Sequence, residues 1–474
     1  KNAVQHCFLE FAKNLQQLQN DNIDYQEISK ILCGNPVKIT HDNVDVLKCL
    51  ATTFQIDEIT ERIAEFESLQ QLIDNEIEND TNVQQLLNIE SNLNDLNADN
   101  FDQTLQDSLK FIGFSPIQKN KALLNQQQID LLLDLITGCC IANYQKISLY
   151  ADLTMELNNC VDISENVKNC IKNKTSKVMI MKTNEIDAFY VYLSKLGFFS
   201  KFGEIKNYSC NERIERIVKF KNSSENLTKK GILSSRNNDI VESIRNDDIE
   251  SLQSILQSLG VFNNEQNPKS NYLDSTIFIH DEVSSIIPTQ SHISMINYCA
   301  FHQAVKCFEF LRLNKATIDR SFPTFAIAGG NPQIIHEYAD SLDKDTNSLF
   351  SDSRFYITAL HFHHNEIFEW IFQNRTTNDK SHYVNQTDSS ISQKCFDYAD
   401  FTILIFLIKN NYLNLLDVAK AAISHNNNCI YQLCYNITMK HKETFPNNSI
   451  ENIVSEFESL QLKKETKSLL QQSK

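Results

Sequence analysis

The sequence predicts an all-α protein whose C-terminal half repeats one helix–turn–helix unit. Three observations carry this reading. Glycine (9) and proline (7) are scarce over 474 residues, whereas hairpin-rich β folds need many turn glycines. Apolar residues recur at helical spacing along most of the chain. From about residue 239 one pattern returns six times.

Taken in order, DYQEISKIL (24–32) alternates like a helix face, and CGNPVKIT (33–40) reads as a turn and a short extended piece. Thr40 is placed to cap a helix with Asp42 in its first turn. Val44, Leu47, Leu50 and Ala51 mark one face of that helix. Asp57 is expected to cap a second helix carrying Ile59, Ile63 and Phe66. Residues 67–103 are acidic and rich in asparagine, which predicts weak, exposed helices with a flexible connection. Residues 104–220 read as helical, and IDLLLDLITGCCIANYQKISLYADLTMEL is apolar enough for two packed helices. Residues 221–238 are a polar linker. The repeats fill 239–440. A C-terminal cap follows at 441–474, where Ile450, Ile453, Phe457 and Leu460 share one side of an amphipathic helix.

Composition excludes some functions. A net charge of −16 argues against a nucleic acid partner, whose phosphates need a basic face. No apolar run reaches the roughly 20 residues that cross a bilayer, and Phe401–Ile408 is far short of it, so no membrane partner is expected. Thirteen cysteines include no CxxC pair. Cys299, Cys307 and Cys434 sit in apolar helical patterns, which predicts buried, reduced thiols and a cytoplasmic setting, with cytoskeletal association as a variant.

The six repeat units align as ESIRNDDIESLQSILQS (242–258), YCAFHQAVKCFEFLRLN (298–314), FAIAGGNPQIIHEYADS (325–341), ALHFHHNEIFEWIFQNR (359–375), KCFDYADFTILIFLIKN (394–410) and KAAISHNNNCIYQLCYN (420–436). Each has a small or apolar pair, a polar break and an apolar helix. One core position runs through Leu252, Phe308, Ile335, Phe368, Leu404 and Ile430. The first gap between units is the longest and holds an insertion. No single unit can bury its apolar face, so neighbours must stack.

The unit SMINYCAFHQAVKCFEFLRLNKATID (294–319) resembles an ankyrin repeat. Cys299-Ala300 take the alanine pair, Asn314-Lys315-Ala316 the closing turn, and Gly330-Asn331 the Gly-His turn of the next unit. The family's Thr-Pro-Leu-His is absent. In the other five units the turn glycine is replaced by Asp247, Gln303, His363, Ala399 and His425. A side chain there meets a left-handed backbone, at a cost of roughly 1 kcal/mol. The phrases CFEFLRLN, FAIAGGNPQII and HHNEIFEWIF resemble divergent ankyrin proteins of parabasalid protists. Within 1–66, ILCGNPVKITHDNVDVLKCLATTFQIDEITERIAEF resembles the second half of a BTB/POZ domain. Its β-rich first half is not evident in 1–23, and whether a complete domain lies upstream of Lys1 stays open.

The tract YITALHFHHNEIFEW (356–370) sets His361, His363 and His364 beside Glu366. His361 and His364 have i, i+3 spacing, which can chelate a metal, but HxHHxE matches no zinc pattern. The repeat alignment instead puts His363 and His364 in an interhelix turn, and the resemblance makes His364 the histidine that fixes it by hydrogen bonding. Ala328-Gly329-Gly330-Asn331 lacks the Lys-Ser/Thr of a phosphate loop and reads as a repeat turn. No metal, cofactor or catalytic residue is expected.

The resemblance implies a non-enzymatic scaffold or adaptor that binds a protein partner on the concave face of the repeats. Carried over by position, that face comprises Phe301, His302, Ala328, Gly329, His361, Phe362, Asp397, Tyr398, Ile423 and Ser424. Two alternatives follow from the same reading: a substrate receptor of a cullin-type ubiquitin ligase, and a structural component of a cytoskeletal or axonemal assembly.

Overall fold

The structure is a computed structural model. It describes residues 39, 43–54, 56–114, 125–177, 184–199, 237–259, 273, 276–279, 291–341, 353–373, 391–444, 451 and 453–460. The readings of 1–38, Thr40, Asp42, Ile450 and most of the 221–238 linker fall outside the described residues.

The described chain is mostly helical. Helices α1 (Val44–Phe54), α2 (Asp57–Asn79), α3 (Thr81–Asn94) and α4 (Phe101–Phe111) come first. They are followed by α5 (Gln126–Ala142), α6 (Ile147–Cys160), α7 (Ser164–Lys177) and α8 (Asn184–Lys195). Helix pairs then take over: α9 (Asn237–Arg245) with α10 (Ile249–Ser258), α11 (Met295–Phe301) with α12 (Val305–Leu313), and α13 (Phe322–Gly329) with α14 (Pro332–Ser341). The series continues with α15 (Ser353–His361) and α16 (Asn365–Gln373), α17 (391–398) and α18 (Phe401–Lys409), and α19 (Leu415–Ser424) and α20 (Asn428–Thr444). A last helix, α21, covers 453–460. The insertion between the first and second pairs holds an antiparallel ladder of β1 (Thr276–Ile279) and β2 (Ser291–Ser294), with Ile277 opposite Ile293.

The molecule divides into two compact units: 1–88 with 375–397 and 401–474, and 89–374 with 398–400. In the first, α1 and α2 close a small core from Val44, Leu47, Leu50, Ala51, Ile63 and Phe66. Helix α2 packs on α18 and α20. The Gln70 amide donates to the Lys409 carbonyl, and Lys440 pairs with Glu76. Phe457 of α21 is buried against Tyr431 and Tyr435 of α20.

In the second unit α5 is the central helix. Leu132, Leu135, Ile136, Cys139 and Cys140 are all buried, so this helix has no solvated face to speak of along its second half. It packs on α6, α7 and α8. The Tyr150 hydroxyl of α6 donates to the Leu93 carbonyl at 2.8 Å. The helix pairs stack by like on like: α11 on α13, α13 on α15, α10 on α12, and α12 on α14.

Three expectations for the first hundred residues change. Asp57 is the first residue of α2, and the residue before it is Ile56, whose side chain makes no capping bond. Asp57 therefore favours the helix by its charge near the N-terminus. Residues 67–103 do not form weak, exposed helices. Ile73, Ile77, Val83, Leu86, Ile89, Leu93 and Leu96 are each 3 % exposed or less. The polar residues that suggested exposure lie between these positions and solvate the other faces. A boundary at 66/67 falls inside α2, which runs on to Asn79.

Candidate functional site

The site is built from the turns inside the helix pairs. The first helix of each pair ends in a residue with positive φ: Asp247 (49°), Gln303 (58°), Gly330 (80°), His363 (52°), Ala399 (57°) and Asn426 (56°). The hydrogen bonds are those of a Schellman ending. Asp248 N–H donates to Ser243 O at 2.8 Å, Ala304 to Cys299 at 2.9 Å, His364 to Ala359 at 2.9 Å, and Asn427 to Ala422 at 2.8 Å. Five of these positions are the ones the alignment marks. The sixth lies at Asn426, one residue beyond His425, which caps α19 with φ −101°. Lys315 (66°) gives the expected closing turn, and Asn411 (53°) repeats it after α18. The tracked core positions Leu252, Phe308, Ile335, Phe368, Leu404 and Ile430 are all buried.

Only one turn uses glycine, and the others show what a side chain does there. Asp247 accepts from the backbone N–H groups of Lys306 (3.2 Å) and Cys307 (3.0 Å) at the start of α12, tying the first pair to the second. His363 pairs through Nδ1 with the Asn94 side chain at 2.9 Å and through Nε2 with the Tyr398 carbonyl at 3.0 Å. His364 Nε2 donates to the Ala328 carbonyl at 3.0 Å, linking the fourth turn to the third. Burial lowers the His364 pKa, outweighing its hydrogen bond to Ala328, so the neutral ring is the form favoured inside the protein. A Cβ on Gly330 would lie 2.3 Å from the His364 ring. Glycine is needed there for both its backbone and its missing side chain.

The histidine tract is therefore divided between two jobs. His363 and His364 are hydrogen-bonded turn residues. His361 is buried, with its ring 4.9 Å from that of Phe362 and 4.7 Å from that of Tyr398. Among the described residues no group of three or more His, Cys, Asp or Glu is arranged to hold a metal ion.

The residues expected to form an open concave face have mixed fates. Phe301, Ala328, Gly329, His361, Phe362 and Tyr398 are buried. His302, Asp397 and Ile423 are half-buried, and Ser424 is exposed. Three positions earlier in the chain account for much of this closure. Tyr144 stacks on Phe301 with ring centroids 5.4 Å apart. Asn94 holds His363. Gly138 of α5 comes so close that a Cβ on it would lie 2.3 Å from the Tyr398 carbonyl oxygen. Gly329 packs as tightly on the Ala300 carbonyl, within the stacked pairs themselves. Sequence reading missed Asn94, Gly138 and Tyr144. The one available signal was a glycine inside an apolar helix, which marks close backbone approach.

In the other unit the corresponding positions lie in a polar setting. His425 Nε2 is 3.3 Å from Asp397 Oδ1, and its ring stacks on Phe396 at 5.3 Å. Burial raises the Asp397 pKa, but the His425 hydrogen bond and the Lys394 charge prevail and hold it below the usual value. Ser424 and His425 adjoin, with Oγ 3.1 Å from Nδ1. The Ser424 hydroxyl, however, donates to the Ala421 carbonyl at 2.8 Å, and His425 Nδ1 faces that same oxygen at 3.0 Å. This geometry closes a helix end; it does not direct a base at the hydroxyl.

In the second unit a contact between α14 and α16 is also well defined. Trp370, the single tryptophan, receives His336 edge-on at 4.7 Å, over a small cleft lined by Pro323, Ile335, Tyr338 and Ile371.

No family model, curated protein or solved structure matches the chain. Among the described residues, no helix is long and apolar enough to cross a membrane.

Proposed function

We propose that this chain is a non-enzymatic protein-interaction scaffold of divergent ankyrin type, working in the cytoplasm. The observation that supports this most is the recurrent turn: six helix pairs with one left-handed residue at the same place in each. In an array of this type, stacking of neighbouring pairs supplies rigidity at low sequence cost. Of the positions assigned to the partner face, His302, Asp397, Ile423 and Ser424 retain access to solvent. They are where a folded chain would first meet a partner. The test is affinity capture with the full chain, alongside Ile423→Glu and Ser424→Trp. Loss of a stoichiometric partner with unchanged thermal unfolding is the expected result. A partner captured equally by all three chains removes this surface from the reading.

The ligase-receptor alternative draws on a separate feature, the closed α1–α2 core around Leu50 and Phe66. It requires a cullin among the captured proteins, lost when Lys48→Glu and Glu67→Lys alter that hairpin's surface. The assembly alternative requires the chain to sediment stoichiometrically with filaments.

A further inference from the structure

In the first unit, α1 and α2 bound a groove with room for about 380 Å³. Helix α2 has 23 residues and α1 only 11, and the groove lies where α2 runs on beside the first turn of α1. Val44 and Phe66 line it with apolar surface and are each 8 % exposed. Its rim is acidic. Lys48 pairs with Glu67 and lies 3.6 Å from Asp45, so a basic side chain of the chain itself already sits on this rim. Asp74, further along α2, meets the Gln70 amide in a long contact of 3.5 Å. Gln70 Oε1, enclosed in the wall of the groove, has no hydrogen-bond partner among the described residues.

We propose that this groove seats an arginine side chain of a protein partner, with its stem on Val44 and Phe66 and its guanidinium at Asp74. Charge complementarity selects a cation. Helix α2 carries eight acids, Asp57, Glu58, Glu61, Glu65, Glu67, Asp74, Glu76 and Glu78, against the single base Arg62, and such a field gathers positive charge. Shape selects an extended one. Glu67 and Asp74 are seven residues apart, about 10 Å along the helix axis, which suits a long side chain with an apolar stem better than a metal ion. Arginine fits best because its planar head brings five N–H donors, and an enclosed amide oxygen such as that of Gln70 lacks a donor. That the occupant belongs to a protein rests on the scaffold reading; the seat itself does not.

The experiment uses the full chain with methyl-labelled valine, followed by NMR. It is titrated with N-acetyl-arginine methylamide, with the lysine analogue, and with the neutral citrulline analogue. The expected result is a saturable shift of the Val44 methyl signals with the arginine probe, a weaker one with lysine and none with citrulline. Asp74→Asn should weaken arginine binding about threefold, the loss of one partly exposed ion pair. Glu58→Gln removes the same charge from an exposed position of the same helix and should leave binding unchanged. Equal losses in the two variants, or shifts spread over valines remote from α1, make the attraction one of net charge alone and overturn the proposal. Binding of lysine or citrulline as tight as that of arginine, or no saturable shift, also overturns it. The comparison of probes on the wild type needs no variant, so it decides the matter even if Asp74→Asn unfolds. Protein capture decides the scaffold reading separately, so the two can fail independently.

Discussion

The third and fourth turns solve one backbone problem in opposite ways. Both reverse the chain through a left-handed residue, Gly330 at φ 80° and His363 at φ 52°. The third turn uses a residue without a side chain, and the space is taken by the neighbouring His364 ring. The fourth places an imidazole at the strained position and recovers stability through bonds to Asn94 and Tyr398. The lesson is that a left-handed helix ending does not require glycine, provided the side chain that stands there fastens something.

The sharpest way to break this comparison is Gly330→Ala. A left-handed alanine costs roughly 1–2 kcal/mol, and its Cβ must evict His364 from the Ala328 carbonyl, which adds about 1–3 kcal/mol. Urea unfolding should show a loss of about 3 kcal/mol. The Gly330→Ala/His364→Ala double variant should fall short of additivity, because both changes remove the same bond.

His363→Ala should cost about 1–3 kcal/mol, since it leaves the Tyr398 carbonyl and Asn94 without this partner. His363→Gly should be milder than His363→Ala by about 1 kcal/mol, because glycine relieves the backbone. If the two variants unfold at the same denaturant concentration, the left-handed strain at this turn is absent.

His364 gives a smaller effect that depends on pH. Its folded-state pKa lies below the ordinary 6.5, so the unfolded chain binds the proton first as pH falls. The His364 contribution is therefore complete above about pH 6.5 and is lost as pH drops through the folded-state value. His364→Gln should flatten the stability profile in that window while changing it less above pH 7.

The smallest effect has the opposite sign. Gln303 is exposed in a left-handed turn at φ 58°. Gln303→Gly should stabilise by about 0.5–1 kcal/mol, after the greater entropy of glycine in the unfolded chain is subtracted. A loss of stability would mean that the Gln303 side chain has a fastening role like that of Asp247.

The turns were legible in the sequence because a left-handed residue must interrupt helical periodicity, and the interruption sits at a fixed place relative to the core positions. Where several residues could serve, the reading slipped. The tract Ser424-His425-Asn426-Asn427-Asn428 offers three asparagines, all tolerant of positive φ, and the turn falls on Asn426. Burial in 67–103 was obscured by composition, since many polar side chains surround a thin apolar stripe. The closure of the inner face left almost no trace. Its contacts join Tyr144 to Phe301 and Asn94 to His363, and no local periodicity records a pairing over 157 or 269 residues.

The lone indole has a practical consequence. Trp370 lies on α16 with His336 of α14 against its ring, and its emission depends on that local environment. The protein thus carries its own optical gauge of whether the third and fourth pairs remain docked. Gly330→Ala and His364→Gln act on the His364–Ala328 hydrogen bond that links those same pairs, so their effects can be followed in native protein without attaching a dye.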